Sequence, residues 1–236
     1  MYSTHDDLQK LYCTRQFILR YFIIKRLEEK MKKNLLLLLL VSGTVLSAQE
    51  KNNTHNLIAY FSLYGNQTSV LTDADTSASR TLYKDKLCGN AELLARVIQD
   101  KAGGDLVFVQ AENKYSTDYN TVVDAGSSER RRGTHLPITN QPMDVSGYTS
   151  VFIVFPTWWY DLPMCLYTWI EENDLSGKNV YIVNTNGGYG RVSDYVKYVQ
   201  KKAPQATVSE NALSVQQRDI SQAEKTVTNW LSQIGF

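Results

Sequence analysis

From residue 57 to the C-terminus, short apolar runs alternate with segments of helical periodicity, and this alternation limits the chain to very few folds. The first run, Leu57-Ile58-Ala59-Tyr60-Phe61-Ser62, is apolar on both alternating faces, as in a strand buried on both sides of a parallel sheet. A helix over Ala91–Ile98 follows, with Asn90 as its cap and Gly103-Gly104 as its stop. Leu106–Val109 reads as a second strand, and a short helix is expected near Tyr119–Glu129. Val151–Phe155 is a third strand ended by Pro156, followed by a helix over Met164–Glu172. Val180–Val183 is a fourth strand, Ser193–Lys202 a helix closed by Pro204, and a weaker fifth strand lies within Ala206–Val215. Ser221-Gln222-Ala223-Glu224 has the form of a capping box, opening a last helix that runs to about Ile234. Strand–helix alternation of this kind demands parallel strands joined by right-handed crossovers, with helices on both faces. The expectation is an α/β fold with a five-stranded parallel sheet.

Upstream, the pattern changes. Met31-Lys32-Lys33 precedes an apolar stretch from Leu35 to Leu46 and a small-residue exit, Ser47-Ala48. This is the grammar of a secretory signal peptide, and the stretch is shorter than the roughly 20 apolar residues a membrane span needs. The expected organisation is an upstream extension or mis-called start over 1–30, a signal peptide over 31–48, and one folded domain over 49–236. The other reading is a long n-region that keeps the protein anchored. With the peptide removed, export to the periplasm and no membrane span in the mature chain are expected. The chain of 236 residues carries a net charge of +1, which gives no reason to expect nucleic acid. Three His and three Cys argue against a metal centre, and Cys88 and Cys165 can either pair in an oxidising compartment or stay as buried thiols.

In open parallel sheets ligands bind beyond the carboxyl ends of the strands. Three loops therefore matter. The first is Ser62-Leu63-Tyr64-Gly65-Asn66, with Gly89-Asn90-Ala91 opening the next helix, where hydroxyls and backbone N–H groups suit an anion. Gly65-Asn66 and Gly89-Asn90 compete for that role; the second is favoured because a helix N-terminus supplies the field, and residues 66–88 then form an insertion. The second loop is Pro156-Thr157-Trp158-Trp159-Tyr160-Asp161-Leu162-Pro163, whose rings can stack on a flat heterocycle. The third, Asn184-Thr185-Asn186-Gly187-Gly188-Tyr189-Gly190, lets backbone approach a ligand closely.

The strings YFSLYGN, GNAELLARVIQDKAGGDL, PTWWYDLP and NTNGGYG resemble the flavodoxin family, in particular flavodoxin-like proteins with a P-x-W-W loop. The resemblance implies a three-layer sandwich with strand order 2-1-3-4-5, noncovalent FMN, and electron exchange with redox protein partners. Ser62, Asn90 and the N–H groups of Tyr64 and Ala91 would contact the phosphate. Pro156, Thr157, Trp158 and Trp159 would line the isoalloxazine, and Thr185, Asn186, Gly187, Gly188 and Tyr189 would face its pyrimidine edge. Tyr64 and Ala91 stand where the family pattern has Thr, and Ala91 removes one hydroxyl donor. An FMN-dependent reductase of quinones fed by a nicotinamide, and a cofactor-free binding module, are the alternatives. The absence of Lys and Arg from 156–163 and 184–190, beside Asp161, implies a low potential for the second electron. No catalytic acid or base is apparent. His55 and His135 read as solvated loop residues, Arg130-Arg131-Arg132 as a solvated face, and Tyr115–Tyr119 as packing.

Overall fold

A computed structural model describes residues 25–27, 29–30, 55–68, 80–133 and 135–236. The chain divides into two units, Met1–Asn53 and Thr54–Phe236. In the first, residues 25–27 and 29–30 are helical and exposed. The expected signal peptide over 31–48 lies outside the described residues. Among the described residues, no helix is long and apolar enough to cross a membrane.

The second unit runs β1 (Asn56–Tyr60), β2 (Thr81–Tyr83), β3 (Lys86–Cys88), α1 (Asn90–Ala102), β4 (Asp105–Phe108), α2 (Tyr119–Arg132), β5 (Ser150–Pro156), α3 (Met164–Glu172), β6 (Asn179–Asn186), α4 (Val192–Lys202), β7 (Thr207–Val208), β8 (Leu213–Gln216), a 3₁₀ turn (Gln217–Gln222) and α5 (Ala223–Gln233). The main sheet is parallel, in the order β4-β1-β5-β6, with β7 and β8 both on the far side of β6. It therefore has six strands rather than five. The expected 2-1-3-4-5 order holds with its fifth position split, because Ser209–Ala212 face only Tyr181 and Ile182 of β6 and must loop out. Alternation along the central strands builds two cores. Leu57, Ala59, Val151, Ile153, Phe155, Val180 and Ile182 point to the face covered by α2, α3 and α4. Ile58, Tyr60, Phe152, Val154 and Val183 point to the face covered by α1 and α5.

Several local expectations change. Gly89 is the N-cap of α1, and Asn90 is the first helical residue. The insertion is partly structured: β2 and β3 form an antiparallel hairpin closed by Lys84-Asp85, both with positive φ. Asp100 of α1 pins this hairpin by accepting hydrogen bonds from Tyr83 Oη and Lys84 Nζ. Helix α2 extends to Arg132 and is capped by Asp118, whose carboxylate accepts from the Thr121 amide at 2.8 Å. Ser221 caps nothing, because the 3₁₀ turn runs directly into α5 and its carbonyls take the first amides; Ala223 N–H donates to Ile220. Cys88 and Cys165 are free, buried thiols, Cys88 in the α1-side core and Cys165 in the α3-side core. Burial pushes the Cys88 thiol up to about 11 and raises Cys165 as well.

The turn from α1 into β4 is tied to the start of β1. Asn56 Nδ2 donates to the Ala102 carbonyl at 2.9 Å, and Gly104 (φ +115°) lies so close that a Cβ there would sit 2.4 Å from the Asn56 carbonyl oxygen. Gly103 (φ +73°) has open space where its Cβ would go. Both positions disfavour an L side chain by about 1–2 kcal/mol, but only Gly104 adds a backbone collision, worth roughly 1–3 kcal/mol more. Urea unfolding should therefore show Gly104→Ala losing clearly more stability than Gly103→Ala; equal losses would mean that the close approach carries no cost.

Candidate cofactor site at the carboxyl edge of the sheet

The register of three neighbouring strands brings the three loops to one edge. Tyr60 of β1 pairs with Val154 of β5, and Pro156 of β5 with Thr185 of β6. Beyond the last pairs, Phe61 N–H donates to Val154 O at 2.9 Å, and Thr157 N–H to Thr185 O at 2.7 Å. The first turn of α1 joins the same end, since Glu92 and Cys88 both act electrostatically on the Tyr60 hydroxyl. That hydroxyl is pushed up to about 12, first by burial and then by Glu92.

The first loop is held from behind. Asn66 is fully buried; its Nδ2 donates to Ser62 O (2.9 Å) and Val109 O (3.2 Å), and its Oδ1 accepts from Ala111 N–H (2.9 Å). Asn66 is thus a clamp between the loops after β1 and β4. Ser62 is buried and Tyr64 half-buried. Gly65 has φ +89°, and none of the amides from Ser62 to Gly65 donates to another described residue. A run of unclaimed N–H groups ending in a positive-φ glycine is the backbone arrangement that accommodates an anion. At the helix start, Glu92 accepts from the Gly89 amide at 3.5 Å and is neutralised by Arg96 at 2.7 Å. The capping carboxylate therefore claims the cap amide and leaves the Ala91 amide in the first turn, where geometry denies it an intrahelical partner.

The second loop is strained. Trp158 and Asp161 exchange both backbone hydrogen bonds at 2.9 Å, with Trp159 (φ +50°) and Tyr160 (φ +64°) between them. This is a two-residue turn of the I′ kind, which ordinarily takes Asn-Gly. Here it holds two aromatic side chains out of the core: Trp159 is 44% exposed and Tyr160 38%. Trp158 behaves differently. Phe61 and Tyr115 meet its ring edge-to-face at 5.4 and 4.9 Å, and Gly126 of α2 leaves room for it, a Cβ there lying 3.2 Å from Trp158 Cε3. The exposed rings at this edge are Trp159, Tyr160 and the 66%-exposed Tyr189, and Trp158 packs inward. Tyr160 and Tyr189 make an edge-to-face pair at 5.9 Å.

The third loop is expected to offer backbone donors, and most of its polar side chains turn inward. Thr185 and Asn186 are buried, and Asn186 Oδ1 already takes the Gly188 amide at 2.8 Å. Thr157 Oγ1 lies between Asn184 Nδ2 (2.8 Å) and the buried Tyr195 hydroxyl (2.9 Å), which locks the second loop to the third. Gly187 and Tyr189 remain on the rim.

Cations that sequence distance concealed reach this edge. Arg130 Nε lies 3.5 Å from Asp161 Oδ2, and the Arg191 guanidinium lies over the Tyr160 ring at 4.9 Å. The charge of Asp161 is thus offset, and the inference of a low second potential from a cation-free neighbourhood loses its premise. Arg130 is not a bare solvated residue, and His135 is not solvated either. His135 contacts Glu171 at 2.5 Å and stacks on Tyr167, whose hydroxyl donates to Asp161 Oδ1 at 2.6 Å. Neither contact was legible from spacing, because each joins residues on separate elements. The turn itself supports a direct test. The double variant Trp159→Asn, Tyr160→Gly gives up the hydrogen bond from Trp159 Nε1 to Val123 O at 2.9 Å but relieves two bulky left-handed residues, and should stabilise the ligand-free protein by about 1 kcal/mol. A lower unfolding midpoint would show that the exposed rings stabilise the turn more than the backbone strain opposes it.

Comparison with known proteins agrees with this fold. The sequence model of the family described as flavodoxin matches residues 55–234. A solved protein from Bacteroides eggerthii, classed as a flavoprotein, is 23% identical with a TM-score of 0.58, covering 78% of this chain and 99% of its own. A second, from Bacteroides uniformis and classed likewise, is 21% identical with a TM-score of 0.57, covering 76% and 98%. No curated protein matches the chain significantly in sequence. With its sheet order, its two-sided helical cover and a family match across nearly the whole second unit, the chain belongs to the flavodoxin family.

Proposed function

We propose that this protein binds FMN noncovalently at the carboxyl edge of its sheet and exchanges electrons with protein partners. The observation that carries the reading is the strained Trp158–Asp161 turn, which presents two exposed rings at the same sheet edge as the first loop, whose Ser62–Gly65 amides donate to no other described residue. The residues present fit the group. Ser62, the Tyr64 and Ala91 amides and Asn90 would hold the phosphate. Pro156, Thr157, Trp159 and Tyr160 would bound the ring system, with Gly187 and Tyr189 at its polar edge. Trp158 would support the wall from behind.

FMN supplies one- and two-electron redox chemistry when bound; the chain supplies placement and field. The α1 N-terminus and the first-loop amides favour a dianionic phosphate. Arg130 and Arg191 lie close enough to soften the negative potential of Asp161. Among the described residues no His, Cys, Asp or Glu cluster could hold a metal. The reading of residues 31–48 as a signal peptide places this activity outside the cytoplasm, where reduced nicotinamide is scarce. That favours a carrier over a nicotinamide-fed reductase.

FMN titrated into the purified full chain should form a 1:1 complex with a perturbed visible spectrum. The double variant Trp159→Asn, Tyr160→Gly should weaken it at least tenfold. A protein that takes up no FMN refutes the proposal, and undiminished binding by the variant removes the stacking role of the turn. Loaded protein should oxidise a reduced nicotinamide no faster than free FMN does; brisk turnover would select the reductase.

A further inference from the structure

A cavity of about 280 Å³ lies between α2 and the loop that follows β4. Its walls mix apolar Ala111, Ala125, Leu136 and Pro137 with polar side chains, Lys114 among them, and Glu129 and Tyr115 line it as well. Glu129 is only 8% exposed, yet it sits on a helix whose neighbouring Arg130, Arg131 and Arg132 are exposed. A solvated face would have turned this carboxylate outward. Instead Oε2 accepts from the Tyr115 hydroxyl at 3.2 Å, and Oε1 accepts from no described residue while remaining accessible. Burial raises the Glu129 pKa, partly opposed by Tyr115 and Arg132.

The cations around it keep their charge but donate to backbone carbonyls rather than to the carboxylate. Lys114 Nζ donates to the Gly65 carbonyl at 2.8 Å, and Arg132 Nε to the Ser128 carbonyl at 3.3 Å. The Cys165 thiol, which also feels Glu129, is buried and neutral. A nearly buried carboxyl with one hydrogen bond and one open oxygen lacks what a charged donor would provide. The apolar part of the lining leaves room for a body of about one ring: an apolar cavity of 150 Å³ is about the size that takes benzene.

We propose that this cavity binds a small organic cation, an amine or amidine on a single-ring apolar body, with its N–H groups on Glu129 Oε1. Binding here requires no flavin. It is nonetheless coupled to the first loop, because the cavity wall and that loop share backbone hydrogen bonds: Tyr115 N–H to Asn66 O at 2.8 Å and Thr68 N–H to Tyr115 O at 3.0 Å.

The test is calorimetric titration of the full chain, without added FMN, with benzamidine as the cationic probe and benzamide as its neutral counterpart. Benzamidine should bind at least tenfold more tightly than benzamide. Glu129→Gln, which keeps the shape and an acceptor for Tyr115, should erase that preference. Ala125→Leu, which fills the cavity and leaves the carboxylate, should abolish binding of both. Equal affinity of the wild type for the two probes overturns the proposal. So does a preference that survives in Glu129→Gln, or binding that survives in Ala125→Leu. Because no readout involves flavin, failure here leaves the FMN reading standing, and failure of FMN uptake leaves this one standing.

Discussion

The parallel register of β1, β5 and β6 is the constraint on which the rest of this molecule depends. These strands are buried on both faces, so a one-residue slip would move each inward-facing set into the opposite core. The Leu57–Phe61 and Val151–Phe155 runs would then meet the wrong helices. Because the register is held this firmly, the ends of the three strands fall side by side, and loops distant in sequence become neighbours. Thr157 bonded to Thr185, Asn184 and Tyr195 is a consequence of that alignment.

Polar side chains buried within the loops then convert proximity into a defined shape. Asn66 spends both ends of its amide on the backbone of its neighbours, and Asn140 does the same at Gln110 N–H and Phe108 O. Such groups are costly to bury unless satisfied, so each holds one arrangement against alternatives. The Trp158–Asp161 turn works in the opposite direction. Its backbone is held in a conformation its residues disfavour, stabilised by Asp161 through Arg130, Tyr167 and the Leu162 amide. Strain maintained by surrounding contacts is characteristic of functional segments.

The buried Glu129 shows a related economy on the other side of Tyr115. The same ring that packs against Trp158 donates its hydroxyl to the Glu129 carboxylate. One residue thus links the Trp158 loop to the cavity and touches both. Any ligand on Glu129 would act on a wall that is hydrogen-bonded to the first loop.

Much of this fold was legible in the sequence, and the reason is periodicity. The helix at Met164–Glu172 and the core strands at 57–60 and 151–155 could be read because burial imposes a repeat on consecutive residues. The loops were legible as candidates because Gly, Pro and adjacent aromatics are unusual past a buried strand. What carried no local signal was left to tertiary structure. The β2–β3 hairpin exposes Leu82 and Leu87 and turns on Lys84-Asp85 without glycine, so neither alternation nor turn chemistry announced it. Which Trp packs inward, which cation meets Asp161, and that Glu129 turns toward a cavity all depend on contacts between separate elements. Sequence alone determined the α/β alternation, the two-faced core and the position of the three loops, because backbone pairing and burial act residue by residue. Only the folded chain decided the orientation of side chains at the site, because that is set by neighbours far away along the chain.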